Sequence, residues 1–521
     1  MDETLTDFVR AHARAKPDAD AFVTPGARCS WRAYRDRAAA LAGVYVASGY
    51  EPGARVAVLL PDGAAVHVAF LAGEQAGVTT VGIGARAGER EIAHLVERTG
   101  AVALVTHDTC RGAPAGDIVA RLREISGRDV QHVVVDDGGA VVCARAAPPL
   151  TEAEIDARRV GPDDPFLLNS TSGTTGLPKC VIQTQRRWRY FHGLAVDAGA
   201  LRADDVFLSA IPAPFGFGLW TAHFTPTLLG APVVLTPRFS PDVVLELVER
   251  ERVTVMACVS TQFVMMLESP AMARADLASL RVLFTGGEAV PEARAAAFED
   301  ATGARVLQFY GSNETGALSR TTLADDREHR LTTAGRVIAD MHVRVLDADG
   351  RDVAPGEPGV PCCRGPATSP GYFDDDAANA ELFTPDGWMR MGDVATVDAE
   401  GYLRVVGRTS DFVIRGGKNI SAKVVEDEVT SHPAVALAAA VAMPDPVFGE
   451  RVCAFVELRP GTSLTLDELV AHLRTRGTSP ETFPERLEVL ERLPRASGGK
   501  LAKGELRERA RTLAELDAPD Q

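Results

Sequence analysis

The ten residues Ser170–Lys179, STSGTTGLPK, decide how the rest of this 521-residue chain is read. Small hydroxylated residues and glycines in succession make a loop whose backbone amides converge on an anion. The glycines reach the dihedrals this needs, and the hydroxyls and Lys179 add donors and charge. Counted from Gly173, the spacing to Lys179 fits a Walker A loop, G-x-x-x-x-G-K-[ST]. Pro178, however, stands where the second glycine belongs, and Cys180 where the Mg-binding hydroxyl belongs. Proline has no amide proton to offer a phosphate, and a thiol is a poor ligand for a hard cation. The loop holds phosphate by another design.

Around this loop the chain alternates helix-like stretches with short Val-rich strands. SWRAYRDRAAALAGVYVASG is followed by RVAVLLP, then AAVHVAFLAGEQAG and TTVGI. That alternation predicts an α/β fold with doubly wound sheets, and it resumes with LRVLFTGGEAV and ARVLQFYGS. From about residue 331 to 409, Gly- and Pro-punctuated strands predict a small β-rich subdomain. GYLRVVGRTSDFVIRGGKNIS reads as a hairpin crossing into a new unit. The expected division is therefore a large N-terminal domain, 1–409, and a small α+β C-terminal domain, 410–521.

The net charge of −16 argues against nucleic acid as a partner, because phosphate backbones are held by clustered Lys and Arg. MDETLTDFVR lacks the basic and apolar regions of a signal peptide. The longest apolar run, Ala434–Met443, is too short to span a membrane. These readings predict a cytoplasmic protein. The eight cysteines show no zinc-like spacing and read as buried thiols. Only six of the 55 basic residues are lysine, so a lysine kept in so Arg-rich a chain marks a site that needs a compact ammonium. Lys179 and Lys500 end glycine-rich stretches and fit that description, whereas Lys16 and Lys503 read as surface residues.

With the loop, TGGEAV, FYGSNETG, GWMRMGDV, GRTSD and LPRASGGK in this order, the chain resembles the acyl-adenylate-forming superfamily. That resemblance implies a C-terminal domain that moves about a hinge at Ser410, with the active site between the two domains. It implies that Thr171, Ser172, Gly173, Thr174, Thr175, Gly176 and Lys179 cradle the β- and γ-phosphates of ATP. Gly286, Gly287 and Glu288 would form the adenine loop, with the purine lying against Tyr310. Asp393 and Arg408 would hold the ribose of ATP and AMP. Glu314 would bind Mg2+, Asn313 would stand near the α-phosphate, and Lys500 would be the catalytic lysine. Gly416 and Gly417 would let the pantetheine of coenzyme A pass. Phe215, Gly216, Phe217 and Gly218 would border the acyl group, the two glycines suggesting room for a bulky or cyclic apolar acid.

Several positions depart from the family pattern. Cys180 adds a side chain beside the phosphate loop, Asn313 replaces a threonine, Gln185 a histidine and Gly498 a serine. The expected activity is ATP- and Mg2+-dependent ligation of a hydrophobic carboxylic acid to coenzyme A through an acyl-AMP. Two alternatives use the same residues: a ligase weak in adenylation that mainly thioesterifies a pre-formed acyl-adenylate, and an acyl-AMP ligase that loads a carrier protein. A non-enzymatic nucleotide-binding protein is the rival from another class, at odds with the presence of Lys500 and Glu314.

Overall fold

The structure is a computed structural model that describes residues 3–170, 178–287, 290–408, 411–415, 418–446, 448–476, 478–496 and 500–517. The side chains of Arg408, Lys418, Asn419, Glu481 and Asp517 fall outside that description. The Val- and Leu-rich runs become strands because β-branched and aliphatic side chains buried on both faces suit a parallel sheet covered by helices. Among the described residues, one sheet has nine strands and a second has seven. In the first, Val233–Leu235, Phe207–Ser209, Val255–Ala257, Val282–Gly286 and Arg305–Ser312 run parallel. Gly316–Arg320 and Arg28–Ser30 pair antiparallel to their neighbours near its edges. In the second, Thr79–Gly82, Arg55–Val58, Ala103–Thr106 and Gln131–Val135 are parallel.

The helix Ala64–Ala76 is buried all round, as its almost uninterrupted apolar sequence requires. It stops at Gly77, whose φ of +76° is the left-handed conformation a helix terminus needs. The helix Trp31–Ala47 begins where the Ser30 side chain accepts from Ala33 N at 3.2 Å. Between residues 343 and 408 the chain forms a three-stranded and a two-stranded antiparallel sheet. Further on, Phe412–Arg415, Lys418–Ser421, Val435–Asp445 and Gly449–Leu458 make a separate sheet, with Arg486–Val489 added in parallel. The helices Ala422–Thr430, Leu466–Thr475 and Lys503–Asp517 accompany that sheet. No described helix is long and apolar enough to cross a membrane.

One polar pair lies inside the main core. His67, on the buried helix, and His223, in the π-helical turn Leu219–Phe224, approach to 3.2 Å between their Nδ1 atoms. One ring must donate and the other accept. Burial lowers the pKa of both, that of His223 to about 3, so both are neutral in the folded protein. The unfolded chain takes up protons below about pH 6.5, while the fold resists until far lower. Stability from this pair is therefore present above pH 6.5 and lost as pH falls below it, at up to about 1.4 kcal/mol per pH unit for each ring. The melting temperature is expected to drop between pH 7 and pH 5. A His67→Phe/His223→Phe protein should show a visibly shallower drop in the same calorimetric series.

Candidate functional site

The phosphate loop joins Pro165–Ser170 to Cys180–Thr184, an antiparallel pair that closes with Ser170 opposite Cys180. Thr171, Ser172, Gly173, Thr174, Thr175 and Gly176 themselves lie outside the described residues. Lys179 lies at the edge of the loop, its ammonium 4.9 Å from the ring centroid of Tyr372, a cation–π distance. The Tyr372 hydroxyl in turn donates to Glu314 Oε1 at 2.7 Å. Tyr372 thus ties the lysine of the phosphate loop to the carboxylate expected to bind metal. Nothing in the sequence pattern of SPGYFDD singled it out.

Glu314 sits in the turn between Arg305–Ser312 and Gly316–Arg320. Ser312 Oγ accepts there from the amides of Glu314 and Thr315, at 3.2 and 3.1 Å. Behind the turn lies the buried guanidinium of Arg187. It donates to the carbonyls of Asn313, Glu314 and Ala367 at 2.8–3.2 Å and to the side chain of Gln183. Burial draws its pKa down to about 9, opposed by the charge of Glu314, and it stays cationic at neutral pH. Asn313 Oδ1 accepts from Gly216 N at 2.8 Å, so this amide fastens the Phe215–Gly218 segment to the turn.

Tyr310 donates its hydroxyl to Asp393 Oδ2 at 2.8 Å. Asp393 pairs in register with Arg408, whose side chain is outside the described residues. Gly287 has a φ of +77°, and a Cβ added to it would lie 3.1 Å from both Cε and Nζ of Lys500. The ammonium carried by the C-terminal part of the chain therefore rests against Gly287, the glycine expected to meet the adenine. Ala496 N donates to the Lys500 carbonyl at 2.7 Å. Gly286, Gly287, Tyr310, Asp393 and Lys500 share one cavity of about 660 Å3, within the usual range for a cofactor-sized ligand. Glu288, Ser410, Gly416 and Gly417 fall outside the described residues.

Among the described residues no three His, Cys, Asp or Glu side chains converge as a metal cage. One carboxylate nevertheless fits Mg2+, which keeps several waters and is held largely by substrate phosphates. With Oε1 bonded by Tyr372, Glu314 has the hard-oxygen chemistry to hold such an ion at the phosphates, where the ion would supply charge neutralisation.

Two expectations need correction. A Cβ on Gly216 would come within 2.3 Å of Asn313 Oδ1, and one on Gly218 within 2.2 Å of the Pro212 carbonyl. The glycines are there because protein fills the space, and they open no room for a bulky acid. Nearby, Trp220 packs on Phe191, Phe284 and Phe309 with centroids 5.1–5.6 Å apart, and Phe217 stacks on Trp220 at 5.7 Å. Phe215 is half-buried. The Cys180 side chain is fully buried among Leu168, Ile83 and their neighbours, and burial pushes the thiol up to about 12. Lys503 and Lys16 are not idle surface lysines. Lys503 lies between Glu426 at 2.7 Å and Asp411 at 3.3 Å, with Arg507 also on Asp411, and Lys16 Nζ donates to the Gly230 carbonyl. Gln185 accepts from Leu5 N at 2.9 Å and so anchors the N-terminal helix.

The sequence pattern of the AMP-binding enzyme family matches residues 9–373, and that of the AMP-binding enzyme C-terminal domain matches 424–500. The chain belongs to the acyl-adenylate-forming superfamily of AMP-binding enzymes. It is an ATP-dependent, AMP-forming ligase of carboxylic acids. A medium-chain fatty-acid–CoA ligase of Escherichia coli (strain K12) is 32% identical to it, over 97% of this chain and 90% of that protein. A feruloyl-CoA synthase of an Amycolatopsis species is 34% identical, over 95% and 97%. Among solved structures, an o-succinylbenzoate CoA synthetase from Bacillus subtilis in complex with its acyl-adenylate intermediate superposes with a TM-score of 0.81. It is 26% identical, over 97% of this ligase and 98% of that chain.

Two outcomes check the site geometry. Tyr372→Phe is expected to slow pyrophosphate release about tenfold, the cost of one charge-assisted hydrogen bond, with a higher Mg2+ requirement in a metal titration. Gly218→Ala should lower activity toward every acid and reduce the melting temperature. A mere change of preferred acid would contradict the packing described for that loop.

Proposed function

We propose that this ligase joins a hydrophobic carboxylic acid to coenzyme A in two steps through an acyl-AMP. The observation that carries the reading is Lys500 lying against Gly287 in the cavity that also holds Tyr310 and Asp393. The names of the two relatives above, one acting on medium-chain fatty acids and one forming feruloyl-CoA, support a hydrophobic acid and CoA as acceptor.

A carboxylate is a poor electrophile, so the first step makes it one. A carboxylate oxygen attacks the α-phosphorus, the bond from phosphorus to the bridging oxygen of pyrophosphate breaks, and acyl-AMP forms. Most of the help a protein gives to such a transfer is alignment and charge neutralisation. The Lys500 ammonium meets the negative charge shared by the acid and the α-phosphate. Lys179 and the loop before it hold the departing pyrophosphate. Asp393, an acceptor only, takes the ribose hydroxyls, and Tyr310 both orients Asp393 and offers its ring to the purine. In the second step the CoA thiolate attacks the acyl carbonyl and AMP leaves with the bonding electrons. Lys500 has no part in that step, so the C-terminal domain is free to turn about the segment at Ser410 and bring Gly416 and Gly417 toward the thiol.

The test combines ATP, Mg2+ and CoA with a pool of aromatic, alicyclic and fatty acids, followed by mass spectrometry of thioester and AMP. Equal amounts of the two are expected with at least one acid. Lys500→Ala should lower pyrophosphate release by about 100-fold or more yet largely spare CoA transfer onto synthetic acyl-AMP. Equal loss in both half-reactions, or no AMP with any acid, overturns the reading.

A further inference from the structure

Glu268 follows the helix Ser260–Leu267 on the N-terminal side of the molecule. Its Oε1 is shared by two guanidiniums. Arg294 Nη1, on the helix Glu292–Thr302 of the same domain, approaches to 3.1 Å. Arg459 Nη1, just beyond the strand Gly449–Leu458 of the C-terminal domain, approaches to 3.2 Å. Arg294 Nη2 also crosses to the C-terminal domain, donating to the Val435 carbonyl at 3.1 Å. Val435 pairs with Leu458 in register, so both crossing contacts come from one end of one hairpin. Ser260, Thr261 and Val264 of the helix that Glu268 follows line the cavity, and Glu268 stands four residues past Val264, about 6 Å along the axis at about 1.5 Å per residue.

Two guanidiniums facing each other from separate domains repel. Burial and the charge of Arg459 both draw the pKa of Arg294 down, with Glu268 opposing them. A carboxylate between them turns a repulsive pair into a bridge, and its side chain, 24% exposed, is shielded enough from solvent for that to count.

We propose that Glu268 is a positioning residue for adenylation, a latch across the domain boundary that keeps Lys500 against Gly287. This rests on the adenylating role given to Lys500 above. Glu268 touches no substrate. It acts by favouring one arrangement of the C-terminal domain, and the latch must open before that domain turns for the second step.

The experiment compares wild type, Glu268→Gln, Arg459→Gln and the double variant in three measurements. These are pyrophosphate release with the acid pool, thioester formation from the corresponding synthetic acyl-adenylates, and the interdomain distance between spin labels. The labels sit on the exposed Cys143 and on a cysteine replacing the exposed Val489. Glu268→Gln is expected to slow pyrophosphate release about fivefold, the scale of one partly exposed ion pair, to leave thioester formation unchanged or faster, and to broaden the distance distribution. Removing Arg459 as well should restore at least half of the lost rate, because the repulsion goes with it. Equal falls in both half-reactions, a distance distribution like wild type, or a further loss in the double variant overturns the latch. If wild type releases no pyrophosphate with any acid, the adenylation reading fails instead, and the distance distributions alone then decide whether Glu268 holds the domains.

Discussion

The buried guanidinium of Arg187 is the interaction on which the site is built. It reaches the carbonyls of Asn313, Glu314 and Ala367 and the side chain of Gln183, groups drawn from three distant parts of the chain. Removing a charge from water is costly unless every donor finds an acceptor, and a planar fork of five donors is well suited to gathering carbonyls. The turn that presents Asn313 and Glu314 is also held by two hydroxyls within it and by the amide of Ser369 on the Glu314 carbonyl. Through Asn313 the same anchor extends to Gly216, and through Glu314 to Tyr372 and Lys179. One hidden cation therefore sets the relative positions of Asn313, Glu314, Gly216, Tyr372 and Lys179.

The second constraint is one of reach. Lys500 belongs to a turn at the foot of the helix Lys503–Asp517, and that helix is tied by Lys503 and Arg507 to Asp411. Asp411 directly follows the segment about which the C-terminal domain is proposed to turn. Burial pulls the Lys503 ammonium's pKa down, but Glu426 and Asp411 outweigh it and leave it raised. A charge cluster of this kind contributes little net stability compared with an apolar one, but it resists sliding. Asp411 is thus tied to the helix that begins three residues after Lys500.

The alternation of helices and buried strands was legible because each strand writes its own burial into Val and Leu runs, whatever its partners. The stretch from Ser170 to Lys179 stood out for a similar reason, because its pattern is confined to ten consecutive residues, although Thr171 to Leu177 lie outside the described residues. Tyr372, Arg187 and Glu268 did not stand out. Each acts on a residue far away in the chain, and only the topology decides which distant groups meet. Glycine posed a different difficulty. Gly216 and Gly218 show that a missing side chain signals crowding without saying whether a ligand or the protein does the crowding. Lysine scarcity singled out Lys179 and Lys500 but passed over Lys503, read as surface, whose ion pairs with Glu426 and Asp411 depend on residues distant in the chain.

The packed loop from Phe215 to Gly218 also bears on how such a ligase acquires new chemistry over generations. Its backbone is pinned by Asn313, and its glycines touch neighbouring atoms, so single substitutions there damage the scaffold before they alter what it accepts. The aromatic side chains at Phe191, Trp220, Phe284 and Phe309 pack on one another beside it, and trimming one of them to alanine would cost about 3–5 kcal/mol of stability. A history of substitution in this region is therefore limited by stability, in the rings as in the loop beside them.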